Sequence, residues 1–370
     1  VKKILVTGGA GFIGSHLVDR LVKDGEDVVV LDNFEPQVHQ GKKPDYLNKN
    51  ARYVDGDIRN EKALKESLVG VDSVYHLAAK VGVGQSMYEI KDYVDGNTLG
   101  TASLWDYIIN KKANIKKFVV ASSMSIYGEG AYKCAKCGVA FPHLRNEADL
   151  KKKNWEPFCP DCGAPLASVP TGEDKKLLAT SVYAITKKDQ EELSLNIGES
   201  YKIPTVALRF FNVYGPRQSL SNPYTGACAI FSSRVKNDNP PIIYEDGLQT
   251  RDFVDVRDIV EACVLAMKSE KADYGNFNVG TGRAMTIKKV AETLIDLYGK
   301  DIKPEITNQY RVGDIRHCYA GIEKIKAIGF EPKIDIKSGL KNLVEWGKVA
   351  KAVDKSAQAH EELKKRRLTL

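Results

Sequence analysis

The 370-residue chain is 43% hydrophobic and 28% charged, an ordinary globular balance and enough length for two fused lobes around a sizeable core. No stretch approaches the roughly 20 uncharged apolar residues of a membrane helix, and the first residues have no signal-peptide profile, so a cytoplasmic protein with no membrane partner is expected. The net charge of +7 comes from scattered lysines with few interleaved aromatics, which disfavours nucleic acid and suits a phosphate-bearing small molecule.

Short β-branched runs alternate with amphipathic stretches from the first residue. Buried strands are expected at Lys3–Thr7, Val28–Asp32, Ala51–Asp55, Ser73–Leu77, Phe118–Ser122 and Pro204–Phe210. Strands alternating with helices imply right-handed βαβ units, hence an α/β fold with a doubly wound parallel sheet.

Between Gly128 and about Leu178 the periodicity dissolves into Cys, Pro, Lys and Gly, a span too long for a structureless loop. It reads as an inserted module over 128–178. After Gly215-Pro216-Arg217 the alternation loosens. Short strands are expected near Ile242–Tyr244 and Thr250–Val254, with helices near Val256–Lys268 and Thr286–Tyr298. The expected division is a cofactor domain over 1–127 and 179–212, an interwoven second lobe over 213–350, and a charged tail over 351–370. The tail reads as a solvated or frayed helix.

Directly after the first strand comes Thr7-Gly-Gly-Ala-Gly-Phe-Ile-Gly14. Gly8, Gly11 and Gly14 at this strand-to-helix junction predict a Rossmann-type turn whose helix N-terminus carries a pyrophosphate. Asp32 follows at the end of the second strand, about 20 residues on, where a carboxylate holds both ribose hydroxyls and repels a 2′-phosphate. NAD is therefore preferred over NADP. Asp57, in Gly56-Asp57-Ile58, is placed to meet the adenine amino group or to serve a simple turn.

The fifth strand ends in Ala121-Ser122-Ser123-Met124-Ser125, and ligands bind at such strand ends. Ser181-Val-Tyr183-Ala-Ile-Thr-Lys187 then opens a helix. Tyr183 and Lys187 share one face, and an ammonium beside a phenol lowers its pKa toward the range of a general base.

Seven cysteines do not suit a disulfide framework. Cys134-Ala-Lys-Cys137-Gly138 and Cys159-Pro-Asp-Cys162-Gly163 have the spacing of two metal knuckles, each with a glycine for the left-handed turn. Four thiolates predict a structural zinc with a closed shell. Iron shares this ligand set, and disulfides do not suit a reducing cytosol. Cys228, Cys263 and Cys318 stand apart and read as buried inert thiols.

With these motifs in hand, the chain resembles the NAD-dependent epimerase/dehydratase branch of the extended short-chain dehydrogenases, from Val1 to about Trp346. The likeness also rests on His76-Leu-Ala-Ala79, Asn97 before Gly100-Thr101, Leu208-Arg-Phe-Phe-Asn-Val-Tyr-Gly-Pro-Arg217, Arg251-Asp-Phe-Val-Asp-Val256, and Arg311 with Gly313-Asp314. The resemblance implies that Tyr183 is the base, that Lys187 tunes it and holds the nicotinamide ribose, and that Ser123 binds the same sugar oxygen. It implies tightly bound NAD on Gly8, Gly11, Phe12, Ile13, Gly14, Asp32, Asn33, Asp57, Ile58, Leu77, Ala78, Ala79 and Asn97. Ser125, Asn212, Arg251 and Arg311 would contact a nucleotide-diphosphate sugar, the arginines pairing with its diphosphate unless salt bridges occupy them.

Related 4,6-dehydratases and decarboxylases carry an acid two positions after the residue equivalent to Ser123, and 3,5-epimerases a cysteine. This chain has Ser125. The remaining outfit implies a 4-epimerase, with a dehydratase or another NAD-dependent oxidoreductase as the alternative. Tyr127–Tyr132, Pro170–Asp174 and Arg217–Tyr224 resemble stretches of dTDP-L-rhamnose 4-epimerases or UDP-glucose 4-epimerases. A homodimer is expected. A zinc-ribbon nucleic-acid binder, using Lys151-Lys152-Lys153, is the remote alternative, with few aromatics to stack bases.

Overall fold

The structure, a computed structural model, describes residues 2–311 and 313–369. Its first five strands are β1 (Lys3–Thr7), β2 (Asp27–Asp32), β3 (Arg52–Asp55), β4 (Ser73–His76) and β5 (Lys117–Ser123). The inserted span then gives β6 (Ala131–Cys134), β7 (Gly138–Ala140) and β8 (Leu166–Val169), after which β9 (Thr205–Phe210) rejoins the main sheet. That sheet is all-parallel and seven-stranded, in the order Asn276–Val279, β9, β5, β4, β1, β2, β3. The order reverses between β1 and β4, which opens a crevice at their C-terminal ends.

Alternation along β1 shows why the sheet is covered on both faces. Ile4 and Val6 join one apolar cluster with Leu17 and Val18 of the first helix, α1 (Phe12–Lys23), while Leu5 joins another with Leu104 and Trp105. Each such fully buried aliphatic side chain contributes roughly 1.5–3 kcal/mol. Cys228, Cys263 and Cys318 are buried, and burial pushes the thiols of Cys263 and Cys318 up to about 12.

The six expected core strands form, each within a residue of its expected ends. The seventh, Asn276–Val279, comes from the span expected to form the second lobe and pairs parallel with β9. Its Asn-Phe-Asn-Val sequence carries a weak strand signal. It is fixed by tertiary bonds to Asn278, which accepts from Tyr127 Oη at 2.7 Å and donates to the Thr171 carbonyl at 2.8 Å. The expected strand Thr250–Val254 is split into Thr250–Arg251 and Phe253–Asp255, which join different small sheets. Between them Asp252 is fully buried, its carboxylate taking the backbone N–H groups of Thr281 and Gly282, each at 2.8 Å.

The inserted span is ordered, with β7, β6 and β8 forming an antiparallel sheet around Tyr132, Ala140 and Leu166. An ionic seam ties it to the second lobe. Glu129 accepts from the backbone of Arg316 and His317, and the fully buried Arg316 guanidinium meets Glu156, Glu245 and Asp246. Arg145 donates to Glu245 at 2.8 Å and to the Asp314 carbonyl at 3.0 Å.

The tail departs from the solvated helix expected of it. Ser356–Lys365 is a helix that lines part of the crevice, with Ala359 and Leu363 buried. Composition hides this because only one narrow face is apolar.

Candidate functional site

One cleft of about 750 Å³ runs along the C-terminal ends of β1, β2, β4 and β5 and on into the second lobe. At one end is the turn Gly8–Gly14. Gly8 has φ +70°, and a Cβ there would come within 2.8 Å of the Ala78 nitrogen, while one on Gly14 would strike the Gly8 carbonyl at 2.2 Å. The glycines thus serve a left-handed turn and the close seating of α1. Phe12, Ile13, Ile58, Leu77, Ala78 and Ala79 line the same end.

Asp32 closes β2, with its two carboxylate oxygens on the N–H groups of Ala10 and Phe34, each at 2.9 Å. Burial pushes its pKa up, and these hydrogen bonds oppose the rise. His39, which the sequence reading missed, is buried 3.9 Å from it and is driven toward the neutral form by the same burial. Asn33 and Asp57 both line the cleft. Asp57 is held below the usual carboxylate range by a bidentate bond from Arg59, so its carboxylate is already engaged.

Asn97 is fully buried in a π-helical turn, Val94–Leu99, next to Gly96, which lines the cleft. Its side chain brackets Lys80, accepting from its N–H and donating to its carbonyl, and it donates to Thr186 Oγ1 at 2.9 Å. Both hydrogens of its amide are thus spent on fixing the loop after β4 and the helix Val182–Ser200.

Tyr183, Lys187 and Ser123 all line the cleft, with Tyr183 hydrogen-bonded to Ser123. Ser181 caps their helix by accepting from the Ala184 N–H, and β5 presents Ser123 beside it. Burial pushes the Tyr183 phenol up and its hydrogen bond with Ser123 draws it back. Burial also pulls the Lys187 ammonium down to about 7, opposed by Glu191. The expected direct ammonium–phenol relation is not how Lys187 is used in this state, because it donates to the Ala121 carbonyl and to Gln190 Oε1. Ser125 donates to Ser123 Oγ at 2.9 Å. Gln190 was missed, although Tyr183, Lys187 and Gln190 lie on one helical face.

Toward the second lobe, Asn212 has a buried side-chain oxygen without a partner, the condition of a group awaiting a ligand donor. Arg251 makes no ion pair among the described residues. It donates instead to the carbonyls of Thr250, Ile315 and Arg316, so the salt bridge weighed against its diphosphate role is absent for Arg251 among the described residues. Arg311 does carry a salt bridge, to Asp314 at 2.8 Å, and its guanidinium lies 4.8 Å from the centre of the Tyr244 ring. Both arginines line the cleft.

Away from the cleft, the sulfurs of Cys134, Cys137, Cys159 and Cys162 lie within 4.8 Å of one another, with Cys134 and Cys162 at 3.6 Å. A tetrahedral zinc with bonds near 2.3 Å asks for sulfurs about 3.8 Å apart, so the donors fit. Gly138 and Gly163 have φ +85° and +69°, as knuckles require. No helix among the described residues is long and apolar enough to cross a membrane.

Comparison with known proteins agrees with this geometry. The family described as "NAD dependent epimerase/dehydratase family" matches residues 4–143 and 161–280, the break falling inside the cysteine insertion. A dTDP-L-rhamnose 4-epimerase of Burkholderia thailandensis is 34% identical, covering 96% of each chain. The crystal structure of a UDP-glucose 4-epimerase from Thermotoga maritima with UDP-glucose superposes with a TM-score of 0.76 at 32% identity, covering 93% of this chain and 98% of that one. A UDP-glucuronic acid 4-epimerase from Bacillus cereus, in complex with UDP-glucuronic acid and NAD, gives 0.76 at 28% identity over 94% and 99%. By the span of this family match and the identity to these relatives, the chain belongs to the NAD-dependent epimerase/dehydratase family.

Proposed function

We infer that the chain is an NAD-dependent nucleotide-sugar 4-epimerase working through a transient 4-keto sugar, on a dTDP-6-deoxyhexose such as dTDP-L-rhamnose or a UDP-hexose such as UDP-glucose. The observation that carries the reaction type is Ser125. It stands where a dehydratase or decarboxylase needs an acid, and its hydroxyl is spent on Ser123. The relatives' names, dTDP-L-rhamnose 4-epimerase and UDP-glucose 4-epimerase among them, support the class.

The groove from Gly8 to Asp32 and on to Lys187 fits NAD, with open backbone at the glycine turn and a carboxylate at its far end. Bound NAD supplies a hydride acceptor that is restored within each turnover. Tyr183 removes the proton of the sugar 4-hydroxyl and returns it from its phenol when the 4-keto sugar is reduced on its other face. Ser123 holds the same oxygen, so the proton moves along a fixed line. Lys187, once protonated in the loaded cleft, favours the tyrosinate. Arg251 and Arg311 take the diphosphate, and the orphan oxygen of Asn212 accepts from the ligand beside it.

The four-cysteine group holds a structural zinc, and its module staples the excursion between Ser123 and Tyr183 while remaining outside proton and hydride transfer. The domain division, the homodimer and the cytoplasmic location belong to the same reading. The deciding experiment incubates the protein with dTDP- and UDP-hexoses and follows inversion at C4 against 4-keto-6-deoxy product. Inversion is expected, and accumulation of the keto product would move the assignment to a dehydratase.

A further inference from the structure

The helix Ser356–Lys365 turns Ser356, Ala359, His360 and Leu363 into the cleft, a single face at helical spacing. It touches both lobes. On the cofactor side Leu363 packs on the loop after β4, so close that a Cβ on Gly84 would sit 3.2 Å from it. The Arg366 guanidinium lies 4.2 Å from the centre of the Tyr88 ring. On the other side His360 Nδ1 bonds to Tyr244 Oη at 2.7 Å, and Thr369 pairs with Arg311 in an antiparallel bridge. Leu363 and Leu368 border a recess with Thr180 and Ser181, at the start of the helix carrying Tyr183.

The anchors are few and mostly aromatic or polar. The residues between them, including Lys364, Lys365 and Arg367, are exposed. An element held this way opens at lower cost than the core beneath it. Its position is not incidental, since it bridges the loop after β4 and the Tyr244–Arg311 side of the cleft.

We propose that the C-terminal helix is a wall of the substrate site, with Leu363 contacting the hexosyl group and His360, through Tyr244, fixing the Arg311 side of the nucleotide-diphosphate pocket. Leu363 and His360 are then determinants of substrate affinity and choice. This rests on the nucleotide-sugar reading above. NAD binding, at the opposite end, is independent of the wall.

The test uses the full chain with NAD bound. Trypsin cuts after Lys364, Lys365, Arg366 and Arg367 when the helix opens, so dTDP- or UDP-hexose should slow release of the tail by at least ~10-fold if it fastens the wall, whereas adding more NAD should not. In parallel, Leu363→Ala should raise KM for the preferred hexose about 10-fold, the loss expected for one apolar contact. A chain ending at Val349 should lose substrate affinity more strongly while keeping its NAD affinity. Calorimetry with dTDP, UDP and their hexoses on the intact chain separates the two readings. If neither nucleotide nor any of the sugars binds, the proposed function fails. If they bind, yet the tail is cut at the same rate with and without them and Leu363→Ala leaves KM unchanged, the wall is overturned and the epimerase reading stands.

Discussion

Lys187 Nζ donates to Gln190 Oε1 at 2.8 Å, and Gln190 in turn donates to Thr101 Oγ1 at 2.8 Å. The directions follow from chemistry. A lysine ammonium cannot accept, so the amide oxygen faces it, and the Thr101 hydroxyl hydrogen is spent on the Asn97 carbonyl at 2.7 Å. His76 Nε2 therefore donates to Thr101, and Thr7 Oγ1 donates to His76 Nδ1. Burial holds His76 neutral, its pKa down to about 3. The chain of bonds anchors the Lys187 ammonium to the end of β1.

Gln190→Leu should leave this buried ammonium one acceptor short, a cost of about 1–3 kcal/mol. The expected result is a roughly 10-fold fall in kcat at neutral pH with the alkaline limb of the pH profile displaced downward. Gln190→Glu should displace that limb upward. Unchanged profiles in both variants would reduce Gln190 to a packing residue.

Tyr183→Phe keeps the ring and removes the proton carrier. NAD should remain bound while interconversion of C4 epimers falls at least ~100-fold, the usual scale for a lost general base. Full activity in this variant would refute the assignment of the base.

Asp32→Ala removes the carboxylate at the ribose end and frees the N–H groups of Ala10 and Phe34. NAD should bind more weakly and its margin over NADP should narrow, which titration of both nucleotides measures. A wild-type chain that already prefers NADP would contradict the ribose contact.

Metal analysis should return about one zinc per chain. Because Arg145 and Glu129 of the inserted span hold the Asp314 carbonyl and the Arg316 and His317 backbone, Cys134→Ser should raise KM for the sugar nucleotide more than it weakens NAD. A metal-free protein with four readily alkylated thiols would overturn the site.

The seam also predicts an acid response. Burial would raise the Glu156 pKa, yet His317 and Arg316 hold it down to about 2. Between this value and the ordinary one near 4.5 the unfolded chain binds the extra proton, so stability rises with pH there. The contribution is complete above pH 4.5 and is lost as pH falls toward 2. Glu156 is half-exposed, so solvent screening limits it to roughly 1 kcal/mol. Glu156→Gln should lower stability by that amount at pH 7 and match the wild type near pH 2, as acid titration of unfolding would show.

The sequence by itself determined what local spacing encodes. The glycine turn, Tyr183 and Lys187 on one helical face, and each cysteine pair lie within a few residues of their partners, and Asp32 sits one βαβ unit from the turn, so the period of a strand, helix or knuckle suffices to bring them together. Tertiary structure alone decided what depends on long-range closure. Asn276–Val279 becomes a strand through the bonds of Asn278, and Asn97 is a bracket because its amide is already spent on Lys80 and Thr186. The tail became a wall because a single buried face, Ala359 and Leu363, meets Gly84 on one lobe while His360 meets Tyr244 on the other. Those partners lie more than a hundred residues away in the chain, and no local periodicity records such a distance.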